Sequence, residues 1–241
     1  MTSPKQHRIP KGERTRARIL EAATELFSQS GFRVVSLRDI AAHAGLTHAG
    51  LLHHFTGKED LLLQILSHRD AVDAKLLFAE HPDGGAAALL QVIVGFVERN
   101  TGTPAMVALY VKVAAEATDP EHPAHAYFTK RYQVIRARIA EILAALAAES
   151  GPRAANADTP APLDADSAAR QLIALMDGLQ TQWLLEPDSV DMRAEVISFL
   201  DRLGLDATAA LPPGPAEPAS STSTATTTAT STASSTEPEV T

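Results

Sequence analysis

A chain of 241 residues, 45% apolar and only 5% aromatic, has ample material for a buried core and the make-up of an Ala- and Leu-rich helical protein. It has no cysteine, which excludes disulfides, thiol catalysis and cysteine-ligated zinc. The net charge of −8 is unevenly spread: residues 1–58 hold nine Lys or Arg against four Asp or Glu, the remainder twelve against twenty-five, so a head of +5 precedes a body of −13. The polar, basic N-terminus has no apolar run behind it, and no stretch is long enough to span a bilayer. No signal peptide or membrane partner is expected, and a cytoplasmic location is.

Residues 1–10 read as a flexible basic arm carrying Lys5 and Arg8. From Lys11 to Ser30 the apolar positions Ile19, Ala23, Leu26 and Phe27 recur at helical spacing, and Gly31 closes the helix. Ser36, with Asp39 three residues on, opens a second helix in the manner of a capping box, with Ile40 and Ala41 turned inward. Gly45 suits the positive φ of a sharp interhelical turn, and Thr47 is placed to cap a third helix over 48–54, anchored by Leu51 and Phe55. Two short helices about such a turn are the layout of a helix-turn-helix, whose second helix lies in the major groove of DNA.

Thr56 to Glu59 form a second capping box, which predicts a long helix reaching about His81 before Pro82 and Gly84 to Gly85 break it. Further helices are expected at 86–100, 104–117 and 123–149, then a loop over 151–163. A helix near 165–185 carries Leu172, Leu175, Met176, Leu179 and Trp183 along one face, and a last one near 189–203 carries Met192, Val196, Leu200 and Leu203. These two apolar stripes are the best candidates for a dimer seam, since two such helices from each subunit make a four-helix bundle. From residue 206 the chain turns to Ala, Ser, Thr, Pro and Glu, the composition of a disordered tail.

Arg18-Ile-Leu-x-Ala-Ala-x-x-Leu-Phe27, Gly31-Phe32, Ser36-Leu-Arg-Asp-Ile-Ala-x-x-Ala-Gly45, His54-Phe55 and Lys58-x-x-Leu61-Leu62 follow one another without gaps. With them, residues 14–66 resemble the N-terminal domain of TetR-like (TetR/AcrR) transcriptional regulators, and Asp177-Gly-Leu-Gln-x-Gln-Trp-Leu-Leu-x-Pro-Asp is similar to their C-terminal end. The resemblance implies an all-α protein: the arm 1–10, a three-helix DNA-binding domain with helix-turn-helix over 11–57, a helical ligand-binding and dimerisation domain over 58–205, and the disordered tail 206–241. It implies a dimeric repressor on a palindromic double-stranded DNA operator, with a small-molecule effector and no cofactor. His48, Ala49, Gly50 and His53 would meet base edges and sugars, where small side chains let the backbone approach. Thr47, His54, Lys58 and Arg38 would hold phosphates, and Lys5, Arg8, Lys11, Arg14 and Arg16 would add sequence-independent affinity. Leu52 departs from the family, which usually has a Tyr there whose hydroxyl contacts the DNA backbone. Phe96, Met106, Tyr110, Met176 and Trp183 are the side chains a mostly apolar effector would meet, with Tyr110, Gln180 and Gln182 as polar contacts and no charged partner.

Two other readings compete. A ligand-binding or scaffolding helical dimer would have a weakened DNA head, and a regulator without an effector would act by abundance. An enzyme is not expected: there is no Gly-x-Ser-x-Gly, phosphate loop or His-Glu-x-x-His, and His48, His53 and His54 do not share a helical face for a metal.

Overall fold

The computed structural model describes residues 10–78, 85–149 and 163–211. The expected arm up to residue 9, the break at 82–84, the loop over 151–162 and the tail from 212 lie outside the described residues. Ten helices and no strand occur among those described: α1 Lys11–Ser30, α2 Leu37–His43, α3 His48–Leu52, α4 Lys58–Leu77, α5 Gly85–Thr101, α6 Pro104–Glu116, α7 His125–Glu149, α8 Ala165–Leu185, α9 Met192–Arg202 and α10 Ala207–Ala210.

Local chemistry sets most of these boundaries. Ser36 Oγ accepts the Asp39 N–H at 3.2 Å while the Asp39 carboxylate accepts the Ser36 N–H at 2.9 Å, a complete capping box at the head of α2. Gly45 takes φ 65° at the turn, and Thr47 Oγ1 caps α3 by accepting the Gly50 N–H at 3.0 Å. Asp164 and Asp191 cap α8 and α9 in the same way, so α9 begins at Met192 and not near 189. The expected capping box at Thr56 and Glu59 does not form. Instead the Asp60 carboxylate reaches back to the Thr56 N–H at 3.0 Å and takes the Gln64 amide at 2.6 Å. α3 also stops two residues early, because the Leu51 carbonyl takes the N–H of both His54 and Phe55 as Phe55 turns into the core.

Two cores form. The first gathers Ile19, Ala23 and Phe27 of α1, Ile40 of α2 and Leu51 and Phe55 around α3, and continues into Leu61, Leu62 and Leu66 of α4 and Leu109 and Val113 of α6. Packing therefore crosses residue 57, where the head was expected to end. The second core is built by α5, α7, α8 and α9 with Ile93, Ile142, Leu143, Leu172 and Val196. It also includes Ala207 and Leu211, both buried, so the body does not end at 205: the expected tail starts six residues too early. Leu172 and Leu179 of α8, and Met192, Val196 and Leu200 of α9, are buried in this same core, with Leu175, Met176, Trp183 and Leu203 packed on it. Five residues of the two stripes named for a dimer seam are thus buried in the chain's own core, and Leu175, Met176, Trp183 and Leu203 keep partial exposure. No described helix is long and apolar enough to cross a membrane.

Candidate nucleic-acid interface and internal cavity

α2 and α3 present one continuous exposed face. Arg38, Thr47, His48, Ala49 and His53 are all exposed on it, with Gly50 partly covered and Leu52 44% exposed. The Thr47 hydroxyl spends a lone pair on its cap, and its proton remains free to donate to a phosphate. His54 is partly buried, and its carbonyl accepts from Arg16 at 3.2 Å.

Three basic groups are occupied elsewhere. Lys58, expected at a phosphate, drives its ammonium onto the carbonyls of Phe32 (2.9 Å) and Val35 (3.0 Å) and over the Phe32 ring at 4.4 Å. Burial pushes its pKa below the usual lysine value. It closes the α1–α2 connection and does not face outward. Arg16, expected to add general affinity, lies over the Phe55 ring at 4.5 Å, while Arg18 donates to the Ala44 carbonyl. Both tie α1 to the helix-turn-helix and so set the pose of α3. Arg14 and Lys11 stay exposed.

Behind the head, α4 to α8 enclose a cavity of about 200 Å³. Phe96, Met106, Tyr110, Met176 and Gln180 line it as expected; Trp183 and Gln182 do not, Trp183 packing on the second core and Gln182 facing out. The wall also holds charged and polar residues, where no charged partner was expected: Arg69, Asp73, Asn100, Arg131, Tyr132 and Asp177. Arg69 is buried and donates to Asp73 (3.2 Å), Thr103 (3.0 Å) and Asn100 (2.8 Å). Arg99 and Arg131 also pair with Asp73, at 2.9 and 3.8 Å, and Arg131 reaches Asp70 at 3.2 Å. Tyr110 and Tyr127 hydroxyls converge on Asp70 and the Leu66 carbonyl, and burial first of all raises both phenols above their usual range. One signal was available: Leu62, Leu66, Arg69, Asp73 and Leu77 recur on one stripe of α4, so a charged pair falls on a buried face.

α6 joins the two regions. One side of it, with Met106, Val107, Tyr110, Val111 and Ala114, lines the cavity. From its other side, Lys112 donates to the Ser28 and Gln29 carbonyls at 2.5 and 2.7 Å, closing the end of α1. Glu116 accepts the Phe32 N–H at 3.1 Å, and Arg33 pairs with Asp119 just beyond the helix. Gly31 sits at φ 81° against the Glu116 carboxylate, where any Cβ would collide.

Comparison with known proteins follows the same division. Residues 19–65 match the family model of bacterial regulatory proteins, tetR family, and residues 85–205 match that of the BetI-type transcriptional repressor C-terminal region. The chain is 28% identical over 201 residues to the HTH-type transcriptional regulator TtgR of Pseudomonas putida, covering 80% of this chain and 91% of TtgR. It is 25% identical over 197 residues to AcrR of Shigella flexneri, covering 78% and 86%. Among solved structures, SCO4454, a TetR-family transcriptional regulator from Streptomyces coelicolor, aligns with TM-score 0.61 and 26% identity over 80% of this chain and 94% of that one. NalD, the secondary repressor of the MexAB-OprM multidrug efflux pump in Pseudomonas aeruginosa, shares the fold with TM-score 0.60 and 22% identity, covering 80% of this chain and 96% of that one.

Proposed function

The chain belongs to the tetR family of bacterial regulatory proteins and is a helix-turn-helix transcriptional regulator, and we propose that it is a dimeric repressor, released from a palindromic operator by a small molecule in the α6 cavity. The observation that carries this reading is the placement of α6, which forms cavity wall on one side and closes α1 on the other. A ligand that favours a shifted α6 draws on its own preference for that state, and α1 and α3 follow through Lys112, Glu116 and Arg16. A coupling of about 1–3 kcal/mol would change operator affinity by roughly 5–150-fold.

His48, Ala49, Gly50 and His53 are proposed to read base edges, and Arg38, Thr47 and His54 to contact phosphates; Lys58 is withdrawn from that set because its ammonium is occupied. A single short recognition helix covers too few base pairs for a genomic site, which supports a dimer on two half-sites. With most of the apolar stripes of α8 and α9 covered by the chain itself, the outward row of α8 with Ala174, Gly178 and the 77% exposed Leu185 is the proposed seam. The test is fluorescence anisotropy on a library of short duplexes at two salt concentrations. Tight binding to a palindromic subset is expected; uniformly weak, salt-sensitive binding without preference would leave only the ligand-binding helical dimer.

A further inference from the structure

We infer that Leu52 is a specificity-determining residue of the DNA head, its side chain packing on the 5-methyl group of a thymine in the major groove. The inference rests on α3 entering that groove.

The position of Leu52 singles it out. A lone exposed Leu is ordinary on a protein surface, but this one lies within the face proposed to meet DNA. At about 100° per residue, Leu52 falls about 40° from His48 and about 60° from Ala49, between the two, with His53 about 40° beyond Ala49. All four are exposed, Leu52 to 44%. Leu51 points the other way. It is fully buried and with Phe55 anchors α3 to the first core, to which Leu52 does not belong.

The neighbours of Leu52 bring it to the floor of the groove. Ala49 carries one methyl group and Gly50 no side chain, so the middle of α3 can approach the bases closely. A helical side chain leans toward the helix N-terminus. That carries the Leu52 side chain back over Ala49, toward the half of a recognition helix that meets base edges. The pose is held from α1: Arg16 donates to the His54 carbonyl at 3.2 Å and lies over the Phe55 ring, and Arg18 donates to the Ala44 carbonyl before the turn.

The chemistry then selects the base. Leu has no donor or acceptor, so it offers nothing to a phosphate oxygen or to a polar base edge. Among the four bases only thymine presents a methyl group in the major groove. Packing Leu52 on that methyl removes apolar surface of both partners from water. Deoxyribose carbons are the other apolar surface nearby, but they are the same at every base pair and lie away from the row of Ala49.

The experiment is fluorescence anisotropy of the full chain on the duplex that the library selects. Each thymine of the half-site, on either strand, is replaced in turn and in both half-sites by deoxyuridine, which lacks only the 5-methyl group. One such pair of replacements should weaken binding about fifteenfold, or about fourfold for each methyl, equivalent to about 0.8 kcal/mol each. Leu52→Ala should bind the thymine duplex as weakly and lose nothing further on the deoxyuridine duplex, while Leu52→Met should keep the preference. The salt dependence should be the same for Leu52→Ala as for the native protein, since no phosphate contact is lost. Equal affinity of the native protein for every deoxyuridine duplex, a methyl preference that survives Leu52→Ala, or a selected half-site without thymine overturns the inference and leaves α3 as the reading helix. Uniform binding across the library would remove both.

Discussion

His53 and Lys58 lie five positions apart and illustrate how differently two basic residues of one motif can be used. His53 is exposed on the α3 face, so His53→Ala should weaken binding to the preferred duplex by about tenfold with no change in melting temperature. Lys58→Ala should do the reverse of what its place in the motif implies. It leaves the Phe32 and Val35 carbonyls without their donor, at about 1–3 kcal/mol of stability, read as a lower urea midpoint. His122 offers a third residue-scale test. Its side chain is 2% exposed, its Nδ1 accepts the Ala124 N–H, and its Nε2 lies 3.4 Å from Glu116. Burial above all holds its pKa below the ordinary 6.5. The unfolded chain therefore takes up this proton first as pH falls, so the contribution is full above about pH 6.5 and is lost through the lower folded value. Melting temperatures between pH 7.5 and 5 should fall more steeply for the native protein than for His122→Asn; equal slopes would remove His122 from the account.

Among the helices, the shortest carries a clear expectation. α10 is only Ala207–Ala210, entered through Asp206 at φ 44°, a left-handed turn that Asp tolerates better than most residues. Yet Ala207 and Leu211 are buried in the second core, and Thr208 donates to Asp201 of α9. A chain ending at 205 should therefore melt below one ending at 211, by an amount set by about 1.5–3 kcal/mol for the lost Leu burial. Composition hid this element, because alanines and threonines read alike in a tail and in a helix that leans on a neighbour. α8 carries the opposite lesson. Its apolar period was correctly placed, but a period shows only that a face is covered, not whether the cover is the same chain or another.

At the scale of the molecule, the first core runs from the head into α4 and α6, and both helices also line the cavity, so head and body are linked parts. The proposed dimer carries its own expectation: Leu185→Glu should shift the mass in light scattering from dimer toward monomer and lower operator affinity at the same salt. An unchanged mass would move the seam elsewhere. Relatives along most of the chain are transcriptional regulators.

By itself the sequence determined the helices up to α9, the caps at Ser36 and Thr47, the turn at Gly45 and the family of the head, because these depend on residues within a turn or two of one another. The tertiary structure alone decided what those helices are for. Lys58 turns from phosphate to carbonyl, and Glu116 meets Phe32 across 84 positions. Arg69 finds Asn100 on another helix, and Asp177 takes the Tyr132 hydroxyl across 45 positions. Charges and hydrogen-bonding groups act over a few ångströms in space, and where the chain brings them together is fixed by packing that no local pattern records.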